Sequence, residues 1–303
     1  MQTLRHFIRR DAPPPPPNGE RVLLSLPDQD QLLAMCHLPV GPPRGCLIAV
    51  HGLIGCMDAP HVLWLTQHAL KAAFAILRIN MRGAGPARHL ARRSYHAGAG
   101  GDLVPFIEWA EARFDGMPIF MLGHSLGGTA ALNMALDFPI SSARLCGLIT
   151  VGAPLDMTAT AQQFNARRNW IYQRYMLAGM KALVAETPAI EAVPLARAMQ
   201  AASVYEFDDR FTAPMANYDG VDDYYARTSV HHRLHQIGIP SLIIQSSNDP
   251  WIPTAPALAQ PTDSLPQIVI TKGGGHVGFH DSTKNWYIRA SLAWMHHQAG
   301  LMT

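Results

Sequence analysis

The chain is short of charge. Asp, Glu, Lys and Arg make up 15% of its 303 residues, against ~25% in ordinary soluble domains. The 24 Lys and Arg nearly balance the 22 Asp and Glu, for a formal net charge of +2. Nothing in that balance attracts a polyanion, so nucleic acid is not an expected partner. Cysteine is scarce too. Cys36, Cys46, Cys56 and Cys146 form no C-x-x-C pair and no metal-ligand spacing, so neither a zinc framework nor a disulfide scaffold is read. They are expected as free thiols in a reducing compartment. No run approaches the ~18 consecutive apolar residues of a membrane-crossing helix. The basic start, MQTLRHFIRRDAPPPPPNGE, has no apolar segment of the secretory kind. The expected location is therefore the cytoplasm. No repeat at solenoid periods is found.

What is abundant is apolar surface, at 48% of residues. A chain of this length and composition can bury a large core, and disorder is a poor reading of it. Five consecutive prolines at 13–17 form an extended stretch that cannot donate to a sheet. They are read as a stiff N-terminal tail over 1–19, with an adaptor role for the proline run as the rival. ERVLLSLP and QLLAMCHLP then flank Asp28-Gln29-Asp30 as a β-hairpin.

From Gly45 onward short apolar runs alternate with helical segments. The runs are CLIAV (46–50), FAILRIN (74–80), PIFML (118–122), CGLITVGAP (146–154), PSLIIQSS (240–247) and PQIVIT (266–271). Continuous apolar runs of this length suit strands buried on both faces. HVLWLTQHALKAA and DLVPFIEWAEARF between them carry helical spacing. The pattern predicts an α/β domain over 20–303 with a doubly wound, mostly parallel sheet. Some eighty residues after Pro154 lack a buried strand, and AQQFNARRNWIYQRYMLAGMKALVAE within them is helical and aromatic-rich. A helical lid insertion at about 155–230 is expected there. Its Trp170, Tyr172, Tyr175, Met176 and Met180 either line an acyl pocket or form the insertion's own packing face.

Gly123-His124-Ser125-Leu126-Gly127 fits the G-x-S-x-G nucleophile elbow, between the strand PIFML and the helix LGGTAALNMALD. A serine hydroxyl needs a base to remove its proton and a carboxylate to orient that base. On this kind of fold the chain order is Ser, then acid, then His. His276 follows the last strand in a Gly273-Gly274-Gly275-His276 loop and is the expected base, with His280 its nearest competitor. Asp249, directly after PSLIIQSS, is the expected acid; Asp222, Asp223 and Asp263 follow no strand so closely. The oxyanion needs two backbone N–H donors. Leu126, after the nucleophile, and Leu53, in the His51-Gly52-Leu53 loop after CLIAV, are assigned to it. Gly52 allows close backbone approach, and His51 is read as holding that loop by hydrogen bonding. His231-His232-Arg233-Leu234-His235 has metal-ligand spacing if helical, but no second cluster supports it and a solvated surface is expected.

These motifs together resemble the α/β-hydrolase superfamily and, within it, the YheT-like esterases. The resemblance runs from about residue 20 to the end. It rests on HGLIG (51–55), NMRGAG (80–85), YHAG (95–98), GHSLGG (123–128), EFDDRFTAP (206–214), YDGVDDYYARTS (218–229), NDPWIP (248–253) and GGGHVGF (273–279). It implies a triad on Ser125, Asp249 and His276 and hydrolysis of carboxylic esters. No N-terminal membrane anchor of the kind in eukaryotic relatives is read, so their membrane-lipid substrates are not carried over.

The expected activity is that of a serine hydrolase on short- to medium-chain carboxylic esters, through an acyl-enzyme and with no cofactor and no metal. A serine at the elbow argues against the nucleophilic aspartate of dehalogenases and epoxide hydrolases. A thioesterase, amidase or carbon-carbon bond hydrolase would use the same triad. A hydrolase-fold binding module without turnover is the rival from another class, although it has no need of the triad order. Physiological substrate and oligomeric state are not legible.

Overall fold

Every apolar run read as a strand is one in the computed structural model, which describes residues 12–188, 190–261, 266–279 and 285–300. The hairpin comes first: β1 (Glu20–Ser25) and β2 (Gln31–His37) pair antiparallel, with Gln29 left-handed in the turn. β3 (Cys46–Val50), β4 (Ala75–Ile79), β5 (Ile119–His124), β6 (Gly147–Val151), β7 (Ser241–Ser246) and β8 (Gln267–Thr271) follow. Among the described residues these eight strands form one sheet in the order β1-β2-β4-β3-β5-β6-β7-β8. The pairing is parallel from β4 to β8, and β2 joins β4 antiparallel.

The alternation of side chains along each strand explains why the runs are apolar throughout. Leu47, Ala49, Ile76, Phe120, Leu122, Ile149 and Ile244 point to one face. There they pack under α1 (Pro60–Lys71) and the last helix, α8 (Trp286–Gln298). Cys46, Ile48, Val50, Leu77, Met121, Leu148 and Ile243 point to the other face, under α2 (Val104–Arg113) and α3 (Leu126–Asp137). Helices on both faces make the sheet doubly wound, as expected. Only the outer strand β8 is partly solvated along its whole length.

The segment between β6 and β7 is helical, with its α-helices between 157 and 228. It comprises α4 (Met157–Phe164), α5 (Trp170–Ala185), α6 (Ala192–Gln200) and α7 (Val221–Thr228). Between α6 and α7 a helical stretch is widened by a π turn at Asp208–Thr212. Its two ends meet where the Val230 and His231 amides both donate to the Leu155 carbonyl. Longer-range bonds tie it to the body, among them the Ala97 amide to the Tyr224 hydroxyl and the Asn169 side-chain amide to the Pro250 carbonyl.

The N-terminal hairpin is pinned by charge. Arg82, after β4, holds Asp28, Asp30 and Asp102 at 2.6–2.8 Å. This joins the hairpin turn to the segment leading into α2. Residues 1–11 of the predicted tail lie outside the described residues. All four cysteines are free thiols, Cys36 and Cys46 buried. Among the described residues no helix is long and apolar enough to cross a membrane.

Candidate active site

Ser125 sits where β5 gives way to α3, at φ 50° and ψ −126°. That backbone costs on the order of 1–3 kcal/mol and persists only where packing enforces it. The glycines around it are the enforcement. A Cβ on Gly127 would meet the His51 carbonyl at 2.1 Å, and one on Gly123 would meet the Gly128 Cα at 2.6 Å. The helix start can therefore press against the ends of β3 and β5 only if both positions stay bare. The Ser125 amide donates to the Val151 carbonyl, tying the elbow to β6.

His276 lies in the loop after β8, and its Nε2 is 2.9 Å from Ser125 Oγ. Its Nδ1 is 2.8 Å from Asp249 Oδ2, after β7. The other Asp249 oxygen accepts from the Trp251 and Ile252 amides at 2.8 and 3.1 Å. The carboxylate thus fixes Nδ1 as the protonated nitrogen and leaves Nε2 to accept from the serine hydroxyl. All three residues come from the carboxyl ends of strands, where open α/β sheets gather their ligands. The Trp251 ring stacks obliquely on His276 with centroids 4.3 Å apart.

Leu53 and Leu126 both border the serine. The Leu126 amide is the first of α3, so the helix itself has no carbonyl for it. Gly52 brings the other loop close: its added Cβ would lie 3.0 Å from Ser125 Cβ. His51 holds that loop, as expected. Its Nδ1–H donates to the Gly52 carbonyl at 2.8 Å, and its Nε2 accepts from the Met81 amide at 3.0 Å. Burial pushes this imidazole down to about 4, so it is neutral at physiological pH and acts as a brace.

Two cavities meet at Ser125. One runs under the helical segment and is walled by apolar groups including Met176, Met180, Leu183 and Phe211, with Asp208 and Tyr225 also on its wall. The other is bordered by His276, His61, Cys56 and Tyr175. The five residues left open by the sequence therefore divide. Met180 lines the first cavity, Tyr175 the second, and Met176 both. Tyr172 packs on Trp251 at 5.3 Å, and Trp170 is 58% exposed.

Other candidates fall elsewhere. Asp222 and Asp223 lie on the first turn of α7, bonded to Tyr205 and Arg227. Asp263 and His280 lie outside the described residues. The histidine-rich stretch at 231–235 is a turn and a short 3-10 helix. Its α-helical ligand spacing is therefore not realised. Sequence reading missed Asn248, whose Oδ1 accepts from the Gly275 amide at 2.7 Å and the Ser246 hydroxyl at 2.6 Å. It ties the His276 loop to the Asp249 loop. Its place beside Asp249 was the one available signal.

Comparison with known proteins agrees with this architecture. A family model described as the alpha/beta hydrolase fold matches residues 45–283. The esterase-named YheT of Escherichia coli (strain K12) is 30% identical over 86% of this chain and 78% of its own. Phospholipase ABHD3 of Mus musculus is 27% identical over 78% of this chain, which spans 58% of the mouse protein. A soluble variant of the monoglyceride lipase from Saccharomyces cerevisiae, solved with a substrate analog, superposes with a TM-score of 0.62 at 18% identity. That likeness covers 94% of this chain and 96% of the lipase. The chain belongs to the α/β-hydrolase superfamily and, within it, to the branch of the YheT-like esterases.

Proposed function

We propose that the protein is a serine hydrolase of short- to medium-chain carboxylic esters, acting through Ser125, His276 and Asp249. The observation that carries this reading is the continuous hydrogen-bonded relay from Asp249 through His276 to Ser125 at the junction of two cavities. Ser125 Oγ attacks the ester carbonyl while His276 Nε2 takes its proton. Asp249 stabilises the imidazolium that results. The Leu126 and Leu53 amides receive the oxyanion. On collapse the alcohol leaves with the proton of His276, and water repeats the sequence on the acyl-enzyme.

The same chemistry assigns the cavities. The leaving alcohol must reach His276, so it occupies the cavity bordered by His276 and His61. The acyl chain takes the apolar cavity under the helical segment, which on this reading serves as its lid. Relatives named as an esterase, a phospholipase and a monoglyceride lipase support ester substrates.

The test is labelling by a fluorophosphonate probe of the native protein and of Ser125→Ala. Stoichiometric labelling that vanishes in the variant is expected. Absence of labelling in folded native protein refutes the reading. An ester and thioester panel of increasing acyl length then reads the preferred bond and chain.

A further inference from the structure

The apolar cavity has one feature that a plain hydrocarbon pocket does not need. Asp208, the first residue of the π turn, is only 7% exposed and lines the same cavity as Ser125. Its Oδ2 accepts from the Tyr225 hydroxyl at 2.8 Å, and the Thr212 side chain also bonds to it. Tyr225 and Thr212 line the cavity too. Among the described residues no Lys, Arg or His forms an ion pair with Asp208. Among the described residues the one histidine on the cavity wall, His96, is kept neutral by burial, at about 4.

A buried carboxylate without a cation is expensive. If its purpose were to hold Tyr225 and Thr212, a neutral amide oxygen would accept the same bonds without that cost. The groups around it match those that receive a cation. Phe207, Phe211 and Tyr224 join Tyr225 on the wall, and aromatic faces attract an ammonium group that a carboxylate anchors. The π turn widens the helix at this residue, a distortion that recurs at functional sites.

We infer that Asp208, with Tyr225 and Thr212, forms an anionic station in the acyl cavity that recognises a protonated amine on the substrate. The inference rests on the hydrolase reading for the word substrate, but the site itself stands without it. Asp208 is a specificity-determining residue here and takes no part in bond breaking. The favoured substrates are esters whose acyl part ends in an ammonium group.

The experiment compares n-hexylammonium with n-hexanol as ligands of the full chain at pH 8, by calorimetric titration. The native protein is expected to bind the ammonium at least about tenfold more tightly, the scale of a charge-assisted hydrogen bond. Since the chain carries a formal net charge of +2, general attraction does not supply that preference. Asp208→Asn keeps an acceptor for Tyr225 and is expected to bind both ligands equally. In parallel, hexylammonium is expected to slow fluorophosphonate labelling of Ser125 in the native protein and not in the variant. Equal affinity for the two ligands in the native protein, a comparison that needs no variant, overturns the inference. So does an ammonium preference that survives D208N. A native protein that binds the ammonium preferentially but takes no label refutes the hydrolase reading and leaves the station standing.

Discussion

Asp208→Asn should make this protein more stable, and more so in alkali than in acid. Burial pushes the Asp208 carboxyl up to about 6 from the 3.8 of a solvated aspartate, with hydrogen bonds from Thr212 and Tyr225 opposing. The native state therefore holds this proton more tightly than the unfolded chain does. Between those two values the native state binds more protons, so the Asp208 contribution to stability falls as pH rises. Below the unfolded value the penalty is absent, and above about pH 7 it is complete. At ~1.4 kcal/mol per tenfold change, the ionised form costs about 3 kcal/mol at pH 8 and about half that at pH 5. Asparagine carries no charge at either pH and can still accept from Tyr225, so the variant should gain those amounts.

Urea unfolding of native protein and variant at pH 5 and pH 8 measures both gains. His51 and His96, each pushed down to about 4 by burial, act in the opposite sense. They cost stability as pH falls from 6.5 toward 4, but equally in both proteins, so they cancel in the difference. A variant no more stable than the native protein at pH 8 refutes the reasoning, as does an equal gain at both pH values. A gain obtained at the expense of ammonium binding is the trade expected where function retains a costly group.

Other perturbations follow from the same geometry. Gly127→Ala drives a methyl group into the His51 carbonyl 2.1 Å away. It should cost about 3 kcal/mol in urea unfolding and abolish labelling of Ser125, and native-like values for both would contradict the packing argument. Asn248→Ala removes the acceptor for the Gly275 amide. Labelling should slow about tenfold while stability falls only about 1 kcal/mol, so an unchanged labelling rate means His276 does not need this tether. Arg82→Ala leaves Asp30, with a side chain 3% exposed, without its closer ion-pair partner, Arg92 standing at 3.3 Å. Denaturant titration should register about 3–5 kcal/mol of lost stability, and a loss under 1 kcal/mol would show that the clamp is incidental.

The strands and the elbow were legible because they are written locally. A run such as CLIAV or PSLIIQSS must be buried on both faces, and the alternation of strand and helix leaves few topologies. The GHSLGG stretch names its own conformation, since Gly123, Gly127 and Gly128 leave room that any side chain would close. Asp249 and His276 could be picked because each follows a strand directly, and parallel strands deliver their carboxyl ends to one edge.

What the sequence could not yield depends on distances along the chain that no local pattern encodes. Asn248 and Gly275 are 27 residues apart, and Arg82 meets Asp28 across 54. Asp208 meets the Tyr225 hydroxyl across 17 residues of the helical segment. The sequence by itself determined the sheet, its order of elements, the position of the elbow and the residues offered to it. Only the tertiary structure decided which cavity each insertion residue faces, and that a carboxylate lies buried in one of them. Local burial patterns say which side chains leave water, whereas the partners they find inside are set by how distant segments pack.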